Sequence, residues 1–243
     1  MNKLAFFLLT FLLACTTTGG DQVRQSPADI QVTDAALAGK ISQYQMVANR
    51  VEQVARQECR ARSRPKCNFK FTIDTRPDVA PNAYQSEDRN GKPVIAFTLS
   101  LIADMRNPDE MAFILGHEVS HHILGHLPAV RTGILTGAIA ASLEAQMNGL
   151  SEEQIQRAET VGALTAIQGF SKEFELQADA LGAQIAYQAG FNPVLGSKSF
   201  NRVKDPANTF LATHPGNAQR LATVRRVMAG LCADPATRRE PPC

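Results

Sequence analysis

His117-Glu118-Val119-Ser120-His121 sets two histidines four residues apart, with a glutamate beside the first. On an α-helix, positions four apart lie about 40° from each other around the axis and one turn along it, so both imidazoles can reach one metal ion. Glu118 falls about 100° round from His117, beside the metal rather than on it. That is the place for a general base acting on a metal-activated water, the arrangement of a zinc hydrolase. Two histidines do not complete such a site, because a catalytic zinc takes three protein ligands and keeps a fourth position open.

Candidates for the third ligand lie further along. One extension of the motif adds a glycine and a third histidine, but those positions here are Leu124 and Leu127. His122 and His126 project to other faces of a continuous helix and read as supporting or surface residues. Glu175 and Asp179 stand four apart and share one helix face. Glu175 is the expected ligand, giving one zinc per chain. Asp179 is expected to accept a hydrogen bond from a ligand histidine and so fix its tautomer. Glu173 is the rival; it has no carboxylate four residues on and faces away if Glu175 faces in.

The elements that must hold these residues follow from periodicity. Leu37, Ile41, Tyr44, Val47, Val51 and Val54 recur at helical spacing from Ala35 to Arg60. Asn68 to Thr75 alternates as a strand, with Phe69, Phe71 and Ile73 on one face, and Pro93 to Leu99 is a second β-like run. Between them, Asn82-Ala83-Tyr84 suggests a short edge strand. Asn107-Pro108-Asp109-Glu110 is a strong helix start, and the helix it opens should run through the metal motif to about His126. Gly133 to Leu143 is apolar and too short to span a bilayer, so a core or interfacial helix is expected. Ser151 to Gln154 forms a capping box for a helix to about Gln168. Gly169 is at most an interruption of that helix, since its periodicity resumes from Ser171 and stops at Gly190. Asn192-Pro193 starts another helix, and Pro215 to Gly230 holds the last. The order is a helix, a small sheet, then helices: an α+β domain, expected to occupy residues 35–243.

At 243 residues the chain can bury one substantial core. A net charge of +2, dispersed basic residues and the absence of Trp give no footing for a nucleic-acid partner. Lys3 followed by the apolar run Leu4 to Leu13 reads as a secretory signal over residues 1–14. Residues 16 to about 33 then read as a flexible tether. Leu12-Leu13-Ala14-Cys15 resembles a bacterial lipoprotein signal, which implies cleavage before Cys15, acylation of its thiol and membrane attachment through that lipid. Thr16 after the cysteine, by the same resemblance, favours the outer membrane, with the domain facing the periplasm. Four cysteines remain, an even number suited to an oxidising compartment. Sequence proximity favours Cys59–Cys67 and Cys232–Cys243 as disulfides.

The metal motif, Glu175 to Asp179, and Thr213-His214-Pro215 with Arg220 together resemble the HtpX-like zinc metallopeptidases, or minigluzincins, over roughly residues 40 to 230. Asn82-Ala83-Tyr84 is similar to that family's Asn-Ala-aromatic edge strand. The resemblance implies a mainly helical zincin-like domain, with a small sheet ahead of the active-site helix. It implies a zinc-dependent endopeptidase in which His117, His121 and Glu175 hold the metal and Glu118 is the base. His214 is the candidate oxyanion donor, or a ligand that closes the fourth position at rest; a histidine without a role in a Pro-bounded loop is the alternative. Arg220 either stabilises the oxyanion or pairs with a carboxylate. An extended substrate would lie along the strand at Asn82 to Tyr84, which suits unfolded or misassembled envelope proteins. Two other readings stay open: an assembly or chaperone factor with latent protease activity, and a zinc hydrolase of cell-wall material. Nothing in the sequence indicates an oligomeric state.

Overall fold

The structure, a computed structural model, describes residues 24–25, 33–202, 215–240 and 242–243, without the side chains of residues 24–25 and 168–171. The signal run 1–14, Cys15 and His214 lie outside the described residues, as does the expected tether apart from Arg24, Gln25 and Thr33.

Helix α1 (Ala35–Ala61) opens at Asp34, whose carboxylate accepts from the backbone N–H groups of Ala36 and Leu37. Its stripe Ile41, Tyr44, Val47, Val51 and Ala55 is buried, at the spacing the sequence shows. Strands β2 (Lys70–Asp74), β3 (Ala83–Glu87) and β4 (Pro93–Thr98) follow, joined by a two-residue pairing of β1 (Arg24–Gln25) with β2. The sheet order is β1-β2-β4-β3. β2 and β4 run parallel, while β3 runs antiparallel to β4, with Ala83 opposite Phe97 and Tyr84 opposite Ala96. The β3–β4 connection turns at Gly91, whose φ of 68° suits a residue without a Cβ. Ile73, Ile95 and Phe97 join the α1 stripe in the main core, where the Tyr44 and Phe97 rings lie 5.1 Å apart.

Helix α2 (Leu99–Asp104) leads to α3 (Pro108–Leu124), the helix that carries the metal motif. Asn107 caps the helix by accepting from the Glu110 N–H, with Pro108 at the first position, and the Glu110 carboxylate accepts from the N–H of Arg106, the residue before the cap. Met111, Leu115, Val119 and Ile123 point into the core. The helix stops two residues earlier than its periodicity suggests. Gly125 takes the left-handed conformation at φ 75°, and α4 (His126–Met147) leaves at an angle of 56° to α3. Pro128 therefore sits in the first turn of α4, where its missing N–H has no intrahelical partner to lose.

The segment from Gly133 to Leu143 is the middle of this 22-residue helix rather than a short helix of its own. It packs against α5 (Glu152–Gln188) in an antiparallel hairpin and leaves Leu135, Ile139 and Leu143 exposed. The two helices cross at glycines: a Cβ on Gly137 would stand 2.5 Å from the Gly162 carbonyl oxygen. α5 is continuous over 37 residues, through Gly169. A single glycine costs only about 1 kcal/mol in a helix interior, which packing along both flanks outweighs. No single helix among the described residues is long and apolar enough to cross a membrane. The short helix α6 (Pro193–Gly196), a 3-10 turn (Ser197–Arg202) and α7 (Asn217–Ala233) complete a mainly helical α+β fold.

Candidate active site

Helices α3 and α5 make the site, and two glycines let them meet closely enough. A Cβ on Gly116 would lie 2.6 Å from the Gly182 carbonyl oxygen, and one on Gly182 would lie 2.7 Å from the His117 backbone nitrogen. Neither contact can be made by a residue with a side chain unless the backbones separate. Gly182 is seven residues beyond Glu175 and three beyond Asp179, so all three share the α5 face turned toward α3. The close crossing sets both carboxylates opposite His117.

There the Nε2 atoms of His117 and His121 lie 3.0 Å apart. Glu175 places its carboxylate oxygens 3.6 Å from the His117 Nε2 and 3.4 Å from the His121 Nε2. Three ligands on a tetrahedral zinc at about 2.0–2.1 Å would be separated by about 3.3 Å. The residues therefore fit a zinc ion, two imidazoles and a carboxylate being a ligand set catalytic zinc takes. Burial pulls the His117 pKa down, yet Glu175 and Asp179 outweigh it and leave it raised. The field at this point favours a cation. Glu173, the rival carboxylate, is not among these groups; it accepts from the Gln177 side-chain amide at 3.0 Å.

Behind His117, its Nδ1 lies 2.9 Å from Asp179, which is fully buried. Arg220, on the first turn of α7, grips the same carboxylate through Nε at 2.7 Å and Nη2 at 2.6 Å. Burial pushes the Asp179 pKa up, but the bonds from Arg220 and His117 outweigh it and hold the carboxyl below its usual range. Arg220 also lies 3.5 Å from Glu175, and its guanidinium covers the Phe200 ring at 3.8 Å. The geometry thus shows Arg220 pairing with carboxylates at the wall of the cleft.

Of the two histidines read as supporting or surface residues, His126 is the one that stands behind a metal-facing histidine. It is buried, stacks on Phe174 with centroids 4.3 Å apart, and brings its Nδ1 to 2.9 Å from the His121 Nδ1. Burial, with His121 next to it, holds its pKa down to about 4. His122 instead faces the loop closed by the disulfide Cys59–Cys67, where it bonds backbone groups of Pro65 and Lys66. Arg64 of that loop donates from Nε to the Ile123 carbonyl at 2.7 Å, satisfying one of the carbonyls left open at the end of α3. The other disulfide joins Cys232 and Cys243, so both proximity pairings are present.

A cleft of about 920 Å³ opens over the site. Its lining brings Asn82, Ala83, Tyr84 and Gln85 together with Glu118, the three histidines His117, His121 and His126, and the apolar Leu127, Val130 and Phe174. The Tyr84 hydroxyl donates to Asp74 at 2.8 Å, which fixes this ring against the sheet. His214 belongs to the segment outside the described residues, so its distance from this cleft is not part of the geometry.

A family model for peptidase family M48 matches residues 42–228, from within α1 to within α7. The chain belongs to peptidase family M48. Among curated relatives, the metalloprotease LoiP of Escherichia coli (strain K12) is 26% identical over 136 residues, covering 53% of this chain and 53% of the relative. The beta-barrel assembly-enhancing protease of Yersinia pestis is 29% identical over 138 residues, 49% of this chain and 27% of the relative. The mitochondrial metalloendopeptidase OMA1 of Arabidopsis thaliana is 26% identical over 131 residues, 52% of this chain and 26% of the relative. The M48 chain described here thus spans from about a quarter to about half the length of these relatives. Its candidate metal ligands and its Asp179–Arg220 pair all lie within the M48 match.

Proposed function

We propose that the protein is a zinc-dependent endopeptidase of the bacterial cell envelope, acting on unfolded or misassembled proteins. The observation that carries this reading is the convergence of His117, His121 and Glu175 at the separations of a tetrahedral zinc, with Glu118 beside them in an open cleft. A zinc ion held there would supply a Lewis acid and lower the pKa of a coordinated water toward 7. Glu118 takes the proton from the attacking water and passes it to the leaving amine. Asp179 keeps the His117 Nδ1 protonated and its Nε2 free to ligate, and Arg220 keeps Asp179 ionised. β3 borders the cleft, so an extended segment lying along it passes over Glu118, recognised more by backbone than by side chain. His214 is proposed as the donor to the oxyanion, or as the group that closes the site at rest.

Protein substrates and an envelope location are supported by the names of the relatives, two of them bacterial proteases and one tied by its name to β-barrel assembly. Cys15 as the lipid anchor, and the outer membrane as its destination, are carried by the sequence pattern. The same relative's name keeps the assembly-factor reading in view: there, substrate binding and cellular rescue would survive loss of the base.

The test compares the soluble chain, residues 21–243, with its Glu118→Gln variant for zinc content and cleavage of casein. Zinc in both, with cleavage at least 100-fold slower in the variant, is expected. Zinc in both and cleavage in neither, with E118Q still rescuing a deletion strain, would favour the assembly reading. Absence of zinc from the wild type would overturn the site.

A further inference from the structure

Behind each metal-facing histidine stands a chain of hydrogen bonds, and only the one behind His117 ends on the Asp179 carboxylate. The other begins at His121 Nδ1, runs 2.9 Å to His126 Nδ1, then from His126 Nε2 3.1 Å to the Gln177 side-chain oxygen. The Gln177 amide donates in turn to Glu173 at 3.0 Å. One assignment of protons satisfies every step. With the His121 Nε2 turned to the metal, its Nδ1 carries the proton and donates to His126. His126 accepts at Nδ1 and therefore carries its own proton at Nε2, which it donates to Gln177. Every member has one role, and the direction runs from the metal side to a carboxylate.

We propose that His126 is the positioning residue of His121, fixing its tautomer and ring plane as a zinc ligand, and that Gln177 and Glu173 fix the tautomer of His126. This rests on the reading of His117, His121 and Glu175 as a zinc site. His126 reaches His121 because the left-handed Gly125 ends α3 and turns the chain. On an unbroken helix, residue 126 would sit about 140° round from residue 121. Phe174 stacks on the free face of the ring at an interplanar angle of 8° and holds it in this plane. The first two bonds are partly buried and the last is exposed, so most of the effect belongs to His126 itself.

The experiment measures zinc affinity by chelator competition on the purified protein, and the visible absorption of its cobalt-substituted form. His126→Phe keeps a ring on Phe174 and removes the acceptor; it should bind zinc 10–100-fold more weakly and change the cobalt spectrum. His126→Asn puts an oxygen where the Nδ1 stood and should recover to within a few-fold of wild type. Gln177→Leu should weaken binding by a few-fold. If position 126 merely packs, the order reverses: Phe is neutral and Asn is the weak binder, which would overturn the proposal. Should His126→Phe fail to fold, His126→Leu against His126→Asn decides, equal affinities overturning it. A wild type without zinc would instead sink the metal site itself, a result distinct from a wild type that binds zinc beside an unaffected His126→Phe.

Discussion

At the scale of the residue, the Asp179–Arg220 pair is the most exposed to test, because the carboxylate is fully buried and bonded twice by one guanidinium. Removing one partner from a buried ion pair leaves the other charge without compensation, at a cost of about 3–5 kcal/mol. Arg220→Leu is therefore expected to lower stability by about that amount in urea unfolding, with zinc affinity falling alongside. A loss under about 1 kcal/mol would mean that Asp179 is neutral or solvated after the change. Arg220→Lys keeps the charge but not the planar two-bond fork, and should fall between. The metal ligands and their Asp179 partner were legible because both pairs obey helical geometry within one element. For His126 a supporting role was left open beside a surface one, and its contact with His121 was not legible, since a helix continued past Leu124 would set the two about 140° apart. A glycine followed by His-Leu-Pro is the signal that could have found it, for glycine after a helix and proline in a first turn together mark a break.

Helices decide where those residues meet, and the α3–α5 crossing is the feature on which the site depends. Gly116 and Gly182 let the backbones approach closely enough that any Cβ would collide with main-chain atoms, which cannot rotate aside. Gly182→Ala is expected to push α5 outward and cost about 1–3 kcal/mol, and to weaken zinc binding, since Glu175 and Asp179 ride on the same face. Gly230→Ala, where a Cβ meets nothing within 4 Å, is the control and should be neutral or slightly stabilising. A Gly182→Ala protein with unchanged zinc affinity would show that the ligands are set by their own bonds and not by the crossing. Sequence periodicity located α1, β2, β4 and the start of α3, because each carries its own apolar pattern or cap. It could not tell that α5 runs unbroken through Gly169, nor that α4 and α5 form a hairpin, because those depend on what packs alongside. The same holds for the Gly116–Gly182 contact: a glycine in a helix looks like a weakness until the second glycine is placed opposite it.

On the scale of the whole molecule, the loop closed by Cys59–Cys67 belongs to the metal site although it lies outside it. Its Arg64 holds the Ile123 carbonyl and its backbone holds His122, the two residues that follow His121 most closely on that side of the helix end. Closing so short a loop contributes about 2–3 kcal/mol on the chain-entropy estimate. Mild reduction, or a Cys59→Ser/Cys67→Ser double variant, is expected to lower stability by about that much and to quicken zinc release. An unchanged release rate in the double variant would show that the loop's contacts to α3 form without the bridge. With Cys59 and Cys67 reduced the loop loses its covalent closure, and the helix end that follows His121 loses the support this closure gives Arg64. The bridge thus ties the redox state of two cysteines to the firmness of a helix end one turn from the zincin motif.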